Sequence, residues 1–316
     1  MNHPIRNAGM PLDLSLLEAI RVNQSAVARR VQSLNARRSQ KKEWQAAWLV
    51  RAIQCMDLTT LSGDDTPGRV ARLCAKARQP LRADLLAALG LQSLHTGAVC
   101  VYHEMVAPAV AALHGHGIPV AAVSTGFPAG LSAMETRLRE IELSVQAGAS
   151  EIDIVISRRH VLTRDWAALY AEMQAFRAAC GQAHVKAILA TGELQTLDNV
   201  ARASWVCMMA GADFIKTSTG KEGVNATLDV SLVMVRAIRD YLALTGLQVG
   251  YKPAGGISSA RAALQYLTLM KEELGDAWLQ PELFRFGASS LLTDIERQIE
   301  HFVTGRYSAA HRHAMP

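Results

Sequence analysis

Short β-rich segments alternate with helical stretches along most of this chain. Because strands separated by helices usually pair in parallel, this order favours a parallel sheet covered by helices. Eight such strands predict a closed (β/α)8 TIM barrel, an α/β fold. The strands are predicted near residues 55–60, 97–102, 119–124, 151–156, 184–190, 213–218, 248–253 and 284–287. Helices are predicted over 81–89, 132–147, 166–179, 197–210, 229–245 and 259–273.

The chain is long enough for one such barrel with an N-terminal extension. Half of its 316 residues are hydrophobic, so it can bury a large core, and a barrel over 55–302 uses most of the length. Residues 1–54 are predicted to form a tail, loose over 1–11, and extra helices packed on the barrel. Apolar residues recur at helical spacing over 12–38 and again over 43–53, which supports this prediction.

Charge and cysteine content narrow the classes of partner and compartment. A net charge of +5 permits a nucleic-acid partner but suits anionic metabolites better. The basic residues over 29–42 lack interleaved aromatic residues for base stacking, so a solvated helix face is favoured over a patch for RNA or an acidic partner. Five cysteines without metal-ligand spacing indicate reduced thiols in the cytoplasm. No apolar run is long enough to cross a membrane. The alternative location is the mitochondrion, reached through an N-terminal presequence.

A lysine in the sixth predicted strand carries the main chemical signal. Lys216 follows the apolar residues Phe214 and Ile215, and desolvation there lowers the pKa of an amine from about 10.4. A neutral amine is a nucleophile. The turn 217–220 then offers backbone N–H groups and hydroxyls to an anion, and Lys221 adds charge. The alternative is a strand-end lysine whose amine reaches solvent.

Further charged residues share the predicted barrel interior with Lys216. Lys252 stands in the seventh predicted strand, and two ammonium groups on neighbouring strands repel, which lowers at least one pKa further. The two-residue alternation of side chains along a strand also turns Asp57, Asp153 and Lys186 inward. Buried charges are costly unless paired, so this set predicts a catalytic site. A purely structural ion network is the alternative.

Six motifs resemble those of the deoxyribose-phosphate aldolase family, and they follow the order found in that family. The resemblance covers the chain from about residue 40 to its end, and the preceding segment resembles the longer animal-type form. The motifs are Met56–Leu61, Glu151–Val155, Lys186–Glu193, Phe214–Lys221, Lys252–Gly256 and Arg285–Ser290.

The resemblance implies a lyase of deoxyribose phosphate catabolism. Its reaction is the reversible cleavage of 2-deoxy-D-ribose 5-phosphate to D-glyceraldehyde 3-phosphate and acetaldehyde, without metal or cofactor. Lys216 is then the residue that forms a Schiff base with the substrate, and Asp153 and Lys252 are the proton-transfer pair. Asp57, Thr59 and Lys186 would orient this network. A phosphorylated sugar is the expected partner, and a homo-oligomer is compatible with the resemblance.

The phosphate is expected after the seventh and eighth strands, the common location in this fold. Backbone N–H groups and the start of the last helix attract an anion there. The chain departs from the resembling family at Ser258, where many members carry a basic residue, so one side-chain cation is missing from this predicted site. The predicted phosphate-binding residues are Gly220, Lys221, Gly255, Gly256, Gly287, Ser289 and Ser290.

The C-terminal segment 303–316 is predicted to be a mobile tail, since Gly305 is a natural helix stop. In the resembling family a tyrosine near the C-terminus can reach the active site and assist proton exchange. Tyr307, the one tyrosine in this tail, is the candidate for that role. A tail without catalytic part is the alternative.

Two other functions remain open at the level of the sequence. An imine-forming aldolase could act on another phosphorylated aldehyde, because the shape of the pocket is not given by the motifs. A catalytically silent scaffold could bind partners through the N-terminal helices, but retention of Asp153, Lys216 and Lys252 together argues against it.

Overall fold

The computed structural model describes residues 6–37 and 40–313. Its eight parallel strands pair with their chain neighbours from β7 round to β1, and β1 also pairs with β8. Bridges from Tyr251 to Phe284 and from Ala254 to Gly287 join β7 to the β8 side and close the barrel. The predicted barrel is thereby confirmed. The strands are β1 Met56–Thr59, β2 Ala98–Tyr102, β3 Val120–Ser124, β4 Glu151–Val155, β5 His184–Ile188, β6 Phe214–Lys216, β7 Gly250–Lys252 and β8 Phe286–Ala288.

The described residues also form thirteen α-helices. The structure does not describe residues 1–5, 38–39 and 314–316. The predictions that fall on them concern the two terminal segments and the end of an N-terminal helix. The helices are α1 Leu14–Ala19, α2 Gln24–Asn35, α3 Lys42–Gln54, α4 Pro67–Arg78, α5 Ala83–Ala88, α6 Val106–Ala112, α7 Met134–Gln146, α8 Arg158–Leu162, α9 Trp166–Cys180, α10 Leu197–Met209, α11 Leu228–Thr245, α12 Ala260–Leu274 and α13 Ser290–Thr304.

Three helices, α4, α6 and α8, have no predicted counterpart. Pro67 is the first residue of α4, and Pro108 lies in the first turn of α6. Proline is compatible with a first turn, because the N–H groups there have no partner within the helix. A proline that interrupts a helix and a proline that begins one therefore look alike in the sequence. The third helix, α8, has only five residues, too few for a periodic pattern.

Capping side chains explain where many of the helices begin. Each accepts a hydrogen bond from a backbone N–H of the first turn, an interaction worth about 1 kcal/mol. At the other end, Gly246 and Gly305 follow α11 and α13 with φ of 72° and 69°, the left-handed conformation that glycine adopts without strain. The capping residues are Asp13, Asn23, Thr66, Asp165, Thr196, Thr227 and Ser259.

Residues 6–10 correct the prediction of a loose tail over 1–11 for the part of it that the structure describes. Asn7 is buried, and its side chain donates hydrogen bonds to the carbonyls of Met208 at 2.7 Å and Ala212 at 2.9 Å. Its backbone N–H donates to Asp213 Oδ1 at 3.0 Å, and Arg6 pairs with Asp213 Oδ2 at 3.1 Å. Asp213 precedes β6, so residues 6–10 satisfy a buried carboxylate at the N-terminal end of this strand. The sequence pattern cannot show this, because the partners are some 200 positions away.

The barrel interior is charged on one side and apolar on the other. Cys100, Ala121 and Val123 from β2 and β3 form a small interior cluster, separate from the main core. Tyr102 and Phe127 pack against it, with their ring centroids 5.8 Å apart. The buried charges lie on the remaining strands, and the chemistry is therefore confined to that side.

Candidate active site

Three lysines and an aspartate from neighbouring strands meet inside the barrel. Lys216 on β6 is in register with Lys252 on β7, and Asp153 on β4 with Lys186 on β5. Asp153 Oδ2 accepts hydrogen bonds from Lys216 Nζ at 2.7 Å and from Lys252 Nζ at 2.8 Å. Asp153 Oδ1 accepts one from Lys186 Nζ at 3.0 Å. The structure thus brings together the three residues to which the resemblance assigns catalysis, and Lys186 with them.

A second layer of charges lies nearer the N-terminal ends of the strands. Arg285 donates to Asp57 Oδ1 at 2.5 Å and to Glu151 Oε1 at 3.0 Å. Lys252 also donates to Asp57, and Lys186 to Glu151. Glu151 and Arg285 are absent from the predicted site residues. Glu151 is on the same face of its strand as Asp153, so the two-residue alternation of side chains could have identified it.

The charges in this cluster balance only if one amine is neutral. Its carboxylates are the three residues Asp57, Glu151 and Asp153, all buried. Its basic side chains are four, so a fully protonated set would leave one positive charge uncompensated in a buried site, which is costly. With one amine neutral, three positive charges face three negative ones. The basic side chains are Lys186, Lys216, Lys252 and Arg285.

Lys216 is the amine of this cluster whose pKa is lowered. Burial is the main cause that lowers its pKa, and the positive charge of Lys252 lowers it further. Asp153 acts in the opposite direction and does not restore the ordinary value. The shift has the direction that the sequence predicts, and it increases the fraction of Lys216 available as a nucleophile at neutral pH.

The other members of the cluster are held in their charged forms. Burial disfavours the ammonium groups of Lys186 and Lys252, but nearby carboxylates, Asp153 foremost, outweigh it and raise both pKa values. Burial also disfavours the carboxylate of Asp153, yet the three lysines hold its pKa well below the ordinary range. Asp153 is therefore ionised at neutral pH and able to accept a proton.

Lys216 is the member of this cluster that lines the open cavity at the C-terminal ends of the strands, whose volume is about 940 Å³. The side chains of Lys186 and Lys252 are 0% exposed, whereas that of Lys216 is 4% exposed. The amine with the lowered pKa is thus also the amine that a substrate can reach. This coincidence favours a catalytic site over a purely structural ion network.

One wall of the cavity, after β7 and β8, has the backbone features expected of an anion site. It includes Gly255, Gly256, Gly287, Ser289 and Ser290, all of them predicted phosphate ligands. Gly255 has φ of +82°, and a Cβ there would lie 2.6 Å from Asn225, so no other residue fits without strain. A Cβ at Gly287 would lie 2.8 Å from that of Ala254. At both positions glycine permits the close backbone approach that shapes this wall.

The other two predicted phosphate ligands, Gly220 and Lys221, also line the cavity but are engaged elsewhere. Glu222 accepts hydrogen bonds from the N–H groups of Thr219 at 3.0 Å and Gly220 at 3.1 Å. Lys221 Nζ donates to the carbonyl of Leu61 at 3.1 Å. An internal carboxylate thus occupies the N–H groups that the sequence pattern offers to a phosphate, and binding through Gly220 requires that Glu222 move.

Of the two remaining predicted site residues, one lines the cavity and the other lies away from it. Thr59 lines the cavity and donates to the carbonyl of Asp57 at 2.7 Å. Tyr307 is not brought to the cavity: it is 93% exposed and stacks on His301, with 4.9 Å between ring centroids. His301 lies eleven residues beyond Ser290 on α13, roughly 16 Å along the helix axis. The catalytic part for Tyr307 stays a prediction, and it requires the tail to leave this position.

Two features are absent from residues 6–37 and 40–313. No group of three or more His, Cys, Asp and Glu side chains among them is arranged to hold a metal ion. No helix in this part of the chain is both long and apolar enough to span a membrane.

A reachable, desolvated amine beside a glycine- and serine-lined wall, at the C-terminal end of a (β/α)8 barrel, fits an aldolase, and so a lyase. The model of the DeoC/LacD aldolase family matches residues 51–296. The chain belongs to this family, and the resemblance drawn from the six motifs is confirmed.

Curated relatives agree with this assignment, and a solved structure shares the fold. The chain is 62% identical over 307 residues to the deoxyribose-phosphate aldolase of Mus musculus, with 96% of each chain covered. It is 60% identical over 309 residues to that of Homo sapiens, covering 96% of this chain and 97% of the relative. The fold is similar to the tetrameric deoxyribose phosphate aldolase from Aeropyrum pernix, with a TM-score of 0.57 and 21% identity over 83% of this chain and 98% of the other.

Proposed function

We propose that this aldolase reversibly cleaves 2-deoxy-D-ribose 5-phosphate to D-glyceraldehyde 3-phosphate and acetaldehyde through a Schiff base on Lys216. The observation that carries the proposal is the position of Lys216, whose amine has a lowered pKa and faces the cavity. The substrate follows from what the mouse and human relatives are named for.

The reaction begins when the neutral Lys216 Nζ attacks the aldehyde carbon C1 of the open-chain sugar. The resulting carbinolamine takes up one proton, which the pair Asp153 and Lys252 can deliver, and loses one water molecule to give a protonated imine, which withdraws electrons from the neighbouring carbon. The C2–C3 bond then breaks and its electron pair forms an enamine. The C3 hydroxyl gives up its proton and becomes the aldehyde of glyceraldehyde 3-phosphate. Protonation of the enamine at C2 and hydrolysis of the imine release acetaldehyde and free Lys216.

Asp153 and Lys252 are the groups placed to move these protons. The carboxylate of Asp153 is ionised and lies 2.7 Å from Lys216 Nζ, so it can take the C3 hydroxyl proton, directly or through one water molecule. Lys252 donates to the same oxygen at 2.8 Å and can return a proton along that path. Lys186 and Asp57 fix the two from below, and Thr59 shapes the wall beside them.

Borohydride trapping tests the Schiff base directly. Incubation with deoxyribose 5-phosphate and borohydride should reduce the imine to a stable secondary amine, and peptide mapping should place the added mass on Lys216. A matched incubation without sugar controls for nonspecific labelling. Added mass on Lys252 or Lys186, or no added mass while turnover continues, would contradict the proposal.

We further propose that the reaction needs no metal ion or other cofactor. The protonated imine polarises the substrate as a Lewis-acidic metal otherwise would. Turnover should therefore be unchanged after EDTA treatment and dialysis. Activity that is lost with EDTA and restored by Zn²⁺ would instead indicate a metal-dependent aldolase.

We propose a cytoplasmic location and self-association for this aldolase. All five cysteines are free and buried, as expected in a reducing compartment. Self-association is proposed by analogy with the tetrameric Aeropyrum pernix protein alone. Sedimentation at enzyme concentrations used for assay measures the oligomeric state.

A further inference from the structure

The anion-binding wall of the cavity has no charged side chain of its own. Gly255, Gly256, Ser258, Ser289 and Ser290 offer N–H and hydroxyl groups only. A phosphate monoester carries about two negative charges at neutral pH. Charge-assisted hydrogen bonds to such an anion are about twice as strong as neutral ones. A cation that compensates this charge must therefore come from elsewhere on the cavity lining.

Four basic residues among the described ones line the cavity, and three of them are less suited to bind a phosphate than the fourth. Lys216 is the proposed nucleophile and donates to Asp153. Arg69 pairs with Asp64 at 2.8 Å and with Asp65 at 3.3 Å. Lys221 is exposed and donates to a backbone carbonyl. Arg297 is the fourth.

Arg297 has no carboxylate partner among the described residues. Its Nε donates to the carbonyl of Ser308 at 3.2 Å, which leaves the two terminal nitrogens of the guanidinium without a protein acceptor in this part of the chain. The side chain is half-buried, so its charge is only partly screened by solvent. A planar guanidinium with two free nitrogens matches the geometry of a phosphate.

The geometry of α13 directs Arg297 toward the wall. Ser290, Thr293, Asp294 and Arg297 recur at helical spacing, and all four line the cavity. Side chains on a helix lean toward its N-terminus, which here is Ser290. Asp294 is the one carboxylate among the cavity-lining residues, and it accepts the N–H of Ala260 at 2.7 Å.

The C-terminal segment holds Arg297 from the other side. Ser308 and His313 are buried against α13, and His313 Nε2 lies 2.8 Å from Glu300 Oε2. Ser308 also contacts Glu300 through its hydroxyl. The carbonyl that accepts from Arg297 therefore belongs to an anchored stretch of chain.

We propose that Arg297 is the side-chain cation of the phosphate subsite and that the segment 308–313 positions it. This inference rests on the proposed function, since it concerns the phosphate of that substrate. It assigns selectivity for phosphorylated over unphosphorylated deoxyribose to one arginine on α13 and to the C-terminal segment that supports it.

Kinetics with two sugars test the proposal. Arg297→Gln should raise KM for deoxyribose 5-phosphate roughly tenfold or more, because a hydrogen bond to a charged group is lost. It should leave kcat/KM for unphosphorylated 2-deoxyribose within about twofold of the wild type. Arg261→Gln is the matched control, since it removes the same charge from an exposed site on α12 that lies outside this cavity. An equal rise of KM for both sugars, or no rise, would overturn the proposal.

Three further measurements keep the proposal testable if Arg297→Gln folds poorly. Inorganic phosphate should protect Arg297 of the wild type, and not Arg261, from modification by phenylglyoxal. Ser258→Arg should restore much of the phosphate selectivity to the Arg297→Gln protein. Truncation after Tyr307 should raise KM for the phosphorylated sugar in the wild type and add little in the Arg297→Gln background. Absence of protection of Arg297, or additive effects of truncation, would contradict the inference.

These outcomes separate the two proposals. If borohydride traps no sugar on the wild type, the proposed function fails as a whole. If trapping on Lys216 persists with both sugars while Arg297→Gln leaves their ratio of kcat/KM unchanged, only the role of Arg297 is wrong.

Discussion

Replacing Lys216 with arginine should abolish turnover, with a loss on the order of 10⁴-fold or more. Arginine keeps an N–H donor next to Asp153, so the hydrogen bond that Lys216 donates at 2.7 Å has a substitute, although arginine adds a permanent positive charge. Its guanidinium stays protonated at all accessible pH values and cannot form an imine. The variant therefore removes the nucleophile and retains a hydrogen-bond donor to Asp153.

Two measurements check this result. Steady-state turnover of deoxyribose 5-phosphate should fall to background, and borohydride should trap no adduct. Lys271→Arg is the matched control, because it makes the same substitution on the exposed face of α12 and should leave both signals unchanged. Circular dichroism and thermal unfolding should show a folded protein in both cases. More than trace turnover in the Lys216→Arg protein would exclude an imine on this residue.

The barrel could be predicted from the sequence because its signal is local. Each strand is a short β-rich segment and most helices show a clear period, so the alternation itself specifies a parallel closed sheet. Parity along the strands also placed Asp57, Asp153 and the lysines inside. The sequence does not indicate α6, because Pro108 looks like a residue that interrupts a helix. Proline is nevertheless tolerated at its position, in the first turn of the helix.

The choice among the three interior lysines could not be predicted from parity, because all three point inward. It depends on height in the barrel, which register sets. Lys186 pairs with Phe214 in the register of β5 and β6, so it lies two residues lower than Lys216, which pairs with Ile188. Lys252 is level with Lys216 but donates to both Asp57 and Asp153. The motif resemblance names Lys216, and the register explains why its amine, among the three, lies nearest the cavity.

Local sequence patterns could not predict residues whose role depends on contacts with distant segments of the chain. Arg285 compensates Asp57 and Glu151 from strands far away in sequence. Asn7 forms hydrogen bonds with residues that precede β6. No pattern in the N-terminal sequence indicates these contacts. Tertiary contacts on α13 likewise set the path of the C-terminal segment. This path takes Tyr307 away from the cavity and brings Ser308 to Arg297.

Replacing Lys252 with methionine should make Lys216 a weaker nucleophile at neutral pH. The cluster has three carboxylates, which Lys186, Lys252 and Arg285 balance while Lys216 is neutral. Without Lys252, one carboxylate lacks a cation, and protonation of Lys216 restores the balance. The positive charge that lowers the pKa of Lys216 is also lost. Both effects raise the pKa of Lys216.

The pH dependence of imine formation provides the measurement. The reactive form is the neutral amine, so the rate rises as pH increases through the pKa of Lys216. That limb should move upward by about one to three pH units in the Lys252→Met protein. Imine formation at neutral pH should then slow by about tenfold or more, since each unit is a factor of ten in the neutral fraction. At a pH above the new limb, imine formation should recover, whereas turnover should stay low if Lys252 also moves protons.

The comparison of these two rates decides what Lys252 does. Lys271→Met, which removes an exposed lysine on α12, controls for loss of charge from the protein as a whole. Thermal unfolding controls for damage to the cluster, because removing one partner of a buried ion pair costs about 3–5 kcal/mol. If the Lys252→Met protein remains folded and its limb for imine formation stays at the wild-type pH, Lys252 does not keep Lys216 neutral. Its role would then be confined to the proton path through Asp153.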